Sequence, residues 1–215
     1  MKAASRIGAL VAAAALAACG GPTTGDPWTP RPRAVTAATW ELPAGWRSEV
    51  IPFPLEFAPT LQYAGVEELR FPPGFFDPGA ATYWSYAFAW RFEQPARLAA
   101  PGLAAALVAY FRGLTVAVDE AKRIADTSAI TADVEPLPAG DFALTVTTYD
   151  AFETAAPVHL AGRARRVDCG NGRELWVVGL VADTAPPATH AAIAAVYVQA
   201  ACGQTPVAAD EPAKP

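Results

Sequence analysis

The sequence predicts an α+β domain, an antiparallel sheet with helices packed on it. Three observations carry this reading. Short alternating segments bounded by Gly, Pro and Asx turns recur along the chain. Two longer segments repeat apolar residues at three- and four-residue spacing. Strands follow one another through turns instead of alternating singly with helices, in the order strands, helix, strands, helix.

Trp40-Glu41-Leu42-Pro43-Ala44-Gly45-Trp46 opens the domain with a turn between two tryptophans. Residues 48–53 predict a strand that Pro52 and Pro54 confine to an edge. Residues 66–71 predict another, stopped by Pro72-Pro73-Gly74. The clearest strand is 82–93. Side chains alternate across a strand, so Trp84, Tyr86, Phe88, Trp90 and Phe92 share one face. Tyr83, Ser85, Ala87, Ala89 and Arg91 share the other, and its small residues admit a close helix.

Residues 101–123 predict a helix, with Pro101 suited to its first turn. Leu103, Leu107, Tyr110, Phe111, Leu114 and Val118 form its apolar stripe, with Gly113 interrupting. Strands at 142–149, 158–168 and 173–182 follow, the last two joined by Gly170-Asn171-Gly172, a turn able to take positive φ. Residues 187–201 predict a closing helix with Ile193, Val196, Tyr197 and Ala200 on one side.

Composition narrows the class. Of 215 residues, 53% are hydrophobic and 17% charged, below the roughly 25% charged usual for a globular domain. Six Trp, ten Phe and six Tyr argue against disorder along the whole chain. The 21 acidic residues outnumber 16 basic ones, which argues against nucleic acid as a partner, because phosphate binding needs clustered cations. Residues 40–202 hold no uninterrupted apolar run of eighteen residues, so a multi-span membrane protein is not expected.

The N-terminus carries the strongest signal. Lys2 and Arg6 precede an Ala-rich apolar run, 7–16, and small residues follow, as in a secretory signal. Leu16-Ala17-Ala18-Cys19 resembles the lipobox of bacterial lipoproteins. The resemblance implies removal of residues 1–18, diacylglyceryl attachment at the Cys19 thiol and acylation of its amine. Two or three acyl chains anchor stably where one holds marginally. Gly20 stands where an Asp would favour inner-membrane retention, so in a Gram-negative host the resemblance implies the outer membrane, facing the periplasm. Cleavage leaves 197 residues and removes two basic and no acidic residues, moving the net charge from −5 to −7. Lipid, not a basic patch, then holds the body at the bilayer. Residues 19–39, rich in Pro and Gly, read as a semi-rigid tether, and 203–215 as a disordered tail. Neither end is expected to contribute to the core of the single domain at 40–202.

With Cys19 assigned to lipid, Cys169 and Cys202 remain as an even pair in an oxidising compartment. A bridge between them closes a loop of about 33 residues, which the chain-entropy model values at roughly 3–4 kcal/mol. Metal binding is the alternative, but no His or Cys sits at ligand spacing from either.

No catalytic constellation is legible, and no cofactor motif. His159 and His190 are the only histidines, and no Gly-x-Ser-x-Gly elbow accompanies them. Glu67-Glu68 and Asp119-Glu120 read as solvated surface pairs; in a strand the first two face opposite sides. Asp77, Asp141, Asp150 and Asp168 lie by turns, where Asp caps backbone. Arg163, Arg165 and Arg166 form one basic cluster, suited to an acidic ligand or to carboxylates on a neighbouring strand. Phe71, Phe75 and Phe76, in a loop rich in Pro and Gly, form a candidate rim for a ligand or partner. The aromatic stripe itself reads either as core under the long helix or as the lining of an apolar pocket.

The element order, the opening Gly45-Trp46, the aromatic mid-strand and the helix closing after a Cys hairpin resemble the Mog1/PsbP-type α/β/α sandwich. Gly45-Trp46 through Pro59, with Phe71-Pro72-Pro73-Gly74-Phe75-Phe76 and Tyr83-Trp84-Ser85-Tyr86, also resembles a group of uncharacterised bacterial lipoproteins. That likeness implies no activity. The expectation is an envelope lipoprotein, anchored at Cys19, that serves as a non-enzymatic binding or assembly module for an envelope protein or an apolar ligand. The alternatives are a hydrolase with a site built from scattered polar residues, or a carrier of an apolar ligand.

Overall fold

The computed structural model describes Trp28 and residues 39–206. The signal segment 1–18, Cys19, and most of the 19–39 tether and 203–215 tail lie outside the described residues. Seven strands form one antiparallel sheet: β1 (Arg47–Pro52), β2 (Gly65–Phe71), β3 (Tyr86–Phe92), β4 (Thr131–Pro136), β5 (Asp141–Tyr149), β6 (Pro157–Asp168) and β7 (Glu174–Ala182). Helix α1 (Ala100–Val118) lies between β3 and β4, and α2 (Pro187–Tyr197) follows β7.

The sheet order β1-β2-β3-β7-β6-β5-β4 consists of two meanders joined at the β3–β7 seam. From β3 at mid-sheet, the chain runs through α1 to the far edge at β4. It then walks back strand by strand until β7 pairs with β3. Charges and prolines mark both edges, Arg47, Glu49 and Pro52 on β1 and Asp133, Glu135 and Pro136 on β4. Such residues blunt edge-to-edge pairing.

Period-two alternation sorts the core into two. On one face Tyr86, Phe88, Trp90 and Phe92 of β3 join Trp176, Val178 and Leu180 of β7 against Leu103, Leu107, Tyr110 and Phe111 of α1. Phe88 stacks on Tyr110 with centroids 5.4 Å apart, a pairing worth about 1 kcal/mol beyond its area. On the other face Ala87 and Ala89 meet Leu175, Val177 and Val181 beneath Ile193, Val196 and Tyr197 of α2. The small β3 face thus admits a helix, as its alternation predicts. Helix α1 is long and apolar enough by composition to cross a membrane, yet its apolar stripe is buried in this core. Gly113 serves proximity: a Cβ there would lie 1.9 Å from the Phe57 carbonyl oxygen, so only Gly lets the 53–58 loop reach the helix.

Several boundaries differ from the sequence expectation. β3 begins at Tyr86, not at 82, because Trp84 takes φ of 55° and turns the chain. α1 stops at Val118: the Asp119 carboxylate accepts from Ile124 N at 2.7 Å and folds 119–123 into a turn. α2 stops at Tyr197, which leaves Cys202 in a following turn. β4 was not expected, since Thr131–Pro136 offers only Ala132 and Val134 to the core.

The two ends also contribute to the core, contrary to expectation. Trp28 is 8% exposed and packs in the α2-side cluster. Thr39 bridges to Thr205, and Gln204, nearly buried, donates to the Thr39 carbonyl at 3.1 Å.

Candidate functional site

Of the candidate rim Phe71, Phe75 and Phe76, only Phe76 is exposed. Phe71 and Phe75 are buried with ring centroids 4.7 Å apart, and Phe76 is 45% exposed beside them. They line an open groove of about 250 Å³, closed by Ile51 and Leu69 of the sheet, by Tyr110, Leu114 and Ala117 of α1, and by Phe57 and Phe152 from loops. Glu49 supplies a carboxylate at its edge. The aromatic stripe therefore divides. Phe88, Trp90 and Phe92 are fully buried core, while Tyr86 alone of the stripe reaches the groove.

Phe152 is held there by Asp150. That carboxylate accepts from Trp84 Nε1 at 3.2 Å, Glu153 N at 3.2 Å, and Thr154 N and Oγ1 at 3.0 and 2.6 Å. Burial alone would raise its pKa, but the hydrogen bonds from Thr154 and Trp84 hold it below the usual carboxylate value. The pinned 150–155 loop sets Phe152 5.2 Å from the Trp84 ring and edge-on to Phe76 at 5.3 Å.

Glu67 and Glu68 are not the solvated pair the sequence suggests; both are fully buried. Glu68 points to the α2 face, bridging Arg70 at 2.6 Å and Arg91 at 2.8 Å. Arg70 also donates to the carbonyls of Leu69 and Trp40 and lies over the Trp40 ring at 4.6 Å. Glu67 points to the α1 face. It accepts from Trp90 Nε1 at 3.1 Å and from the Tyr110 hydroxyl, and its Oε2 has no hydrogen-bond partner. Burial pushes its pKa up to about 8; the two hydrogen bonds oppose this and the Glu49 carboxylate adds to it. In turn, burial and Glu67 push the Tyr110 and Tyr86 hydroxyls well above the ordinary tyrosine value. Asp119 is also nearly buried, bound to Arg123 at 3.3 Å, whereas Glu120 is exposed.

The three arginines do not form one cluster. Arg166 faces the α1 side and pairs with Glu174 at 2.5 Å. Arg165 faces the α2 side, where its guanidinium donates to Tyr197 O at 3.2 Å and to Ala200 O, over the Tyr197 ring. A cation there complements the exposed carbonyls of a helix C-terminus, so Arg165 fixes α2 instead of offering charge to a ligand. Arg163 shares that strand face but lies toward the middle of β6.

Cys169 and Cys202 are joined by a disulfide, Cα atoms 5.3 Å apart, tying the β6–β7 hairpin to the segment after α2. Gly170, Asn171 and Gly172 all take positive φ in that hairpin. His159, exposed on β6, meets Thr147 Oγ1 at 3.2 Å across the strand pair and borders a separate cleft with Tyr83, Asp183 and Thr184. His190 is half-buried on α2. Among the described residues no three His, Cys, Asp or Glu side chains are grouped to hold a metal ion.

The site thus belongs to an α+β protein, an open antiparallel sheet with two helices, and is an apolar groove at one end of its aromatic face. Comparison with known proteins finds no matching family model, no matching curated protein and no matching solved structure.

Proposed function

We propose that the chain is a membrane-anchored envelope lipoprotein, and that its folded domain is a non-enzymatic binding module working through the aromatic groove. The lipobox Leu16-Ala17-Ala18-Cys19 supports the anchor. The groove carries the binding reading: its lining is almost wholly aromatic and aliphatic, and ligand sites are concave, mostly apolar and preformed. Phe76, 45% exposed at the mouth of this apolar lining, is the kind of large exposed hydrophobic that marks a binding surface. The volume suits a small apolar ligand or a short apolar side-chain cluster from an envelope partner. One helix on each face of an antiparallel sheet supports the Mog1/PsbP-like reading of the sandwich.

Binding is tested with the neutral apolar fluorophore N-phenyl-1-naphthylamine. Saturable enhancement is expected for the wild type and a loss of about tenfold in affinity for Ala117→Trp, which fills the groove. Equal binding by both proteins removes the groove from the function. Intact mass spectrometry tests the anchor: loss of residues 1–18 with added acyl mass is expected, and an unmodified Cys19 refutes it.

A further inference from the structure

Trp28 belongs by sequence to the tether, nine residues after Cys19 and eleven before Thr39. It is nonetheless seated in the domain. Its ring meets Tyr197 of α2 edge-on, centroids 5.3 Å apart, and lies over Gly179 of β7. A Cβ at Gly179 would stand 2.5 Å from that ring, with Ile193 closing the other side at 3.3 Å. The missing side chain of Gly179 is therefore what makes the seat. All of these contacts lie on the α2 face of the sheet, opposite the groove.

We propose that Trp28 is a clamp that makes the α2 face the membrane-facing surface of the domain and turns the aromatic groove toward the aqueous compartment. This rests on the anchor at Cys19. Nine residues reach at most about 30 Å fully extended, against about 70 Å for the twenty between Cys19 and Thr39. The clamp thus more than halves the reach of the domain from its lipid. Helix α2, which carries the seat, suits an apposed bilayer independently of the clamp. Pro187–Tyr197 contains no Asp, Glu, Lys or Arg, on a body whose net charge is −7 once residues 1–18 are gone. The exposed carboxylates on that side of the sheet, Asp133 and Glu135, stand on the far edge strand β4, three strands from β7, so α2 and the Trp28 seat are the part an acidic protein can lay near anionic headgroups with least repulsion. The groove then takes its ligand or partner from the compartment and not from the bilayer that holds the protein.

The test places a fluorophore, through a non-canonical residue, at Ala191 on α2 or Ala105 on α1, both exposed. The full chain is held on vesicles of phosphatidylethanolamine and phosphatidylglycerol containing an acceptor-labelled lipid. Energy transfer several-fold greater from position 191 than from 105 is expected. Trp28→Ala, and separately Gly179→Ala, should bring the two positions to equal transfer; the two variants eject the same ring from opposite sides, so failure of one to fold leaves the other. Equal transfer in the wild type, or an asymmetry unchanged in both variants, overturns the clamp. Where vesicle flotation shows that the cell-made chain is not acylated, the anchor reading fails by itself. Coupling a maleimide phospholipid to the Cys19 thiol then repeats the same comparison, and the clamp stands or falls on it.

Discussion

Glu67 and Glu68 are consecutive, equally buried and chemically identical, yet the two faces of the sheet treat them differently. On the α2 face Glu68 is held by two arginines, and Arg70, itself fully buried, is satisfied by carbonyls and the Trp40 ring. On the α1 face Glu67 has only a tryptophan N–H and a tyrosine hydroxyl, and its carboxyl stays protonated up to about pH 8. A buried charge needs a countercharge, and without one the group neutralises instead. The contrast separates the roles of the faces. The α2 side is closed, clamped by ion pairs, the disulfide and Trp28. The α1 side is aromatic, carries one neutral acid, and ends in an open groove.

At fixed pH, the largest effect should come from breaking the closed side. Glu68→Ala leaves Arg70 buried without its carboxylate, and denaturant unfolding should show a loss of about 4 kcal/mol. An unchanged midpoint would mean that the carbonyls around Arg70 satisfy it alone. Next, Cys169→Ser with Cys202→Ser releases the β6–β7 hairpin from the segment after α2, and thermal melting should report a loss of roughly 3 kcal/mol. Non-reducing peptide mapping should link the two residues in the wild type, and free thiols at both would overturn that prediction.

The open side should show itself through pH. Glu67 binds its proton in the folded chain up to about pH 8 and in the unfolded chain only to its ordinary value of 4.5. The native state therefore holds more protons between these values. Its contribution is full below pH 4.5 and is lost as pH climbs through about 8. The decline should be on the order of 5 kcal/mol, and Glu67→Gln should flatten it. An identical pH profile for the variant would assign the decline to another group. Smallest of all, Phe76→Ser should change stability by no more than about 0.5 kcal/mol, as exposed positions do. It should still weaken naphthylamine binding; if stability fell sharply instead, Phe76 would be core and not rim.

Local pattern made most of the fold legible. The alternation of Tyr86 to Phe92 against Ala87 and Ala89 assigns both faces of β3, because strand periodicity is a backbone property. β4 escaped because its two inward residues, Ala132 and Val134, are small and its outward ones are charged, so no apolar run announces it. The strand start at 82 failed because alternation continues through Trp84 although the backbone turns there. A minority of the groove lining was legible in the same way. Phe71, Phe75 and Phe76 are clustered in sequence, whereas Tyr110, Phe57 and Phe152 come to them from three distant segments.

Whatever depends on neighbours along the chain was therefore legible without the fold: the hairpin turn, the two helical stripes, the sidedness of β3. Tertiary structure decided whatever depends on which segments meet. It buried an acidic pair that reads as surface, since burial is set by the layers above and below a strand and not by its own residue types. It took Arg165 from a basic cluster to a helix end. It also drew Trp28 out of a tether and into the core, because only the assembled β7 and α2 present a glycine seat beside a tyrosine ring.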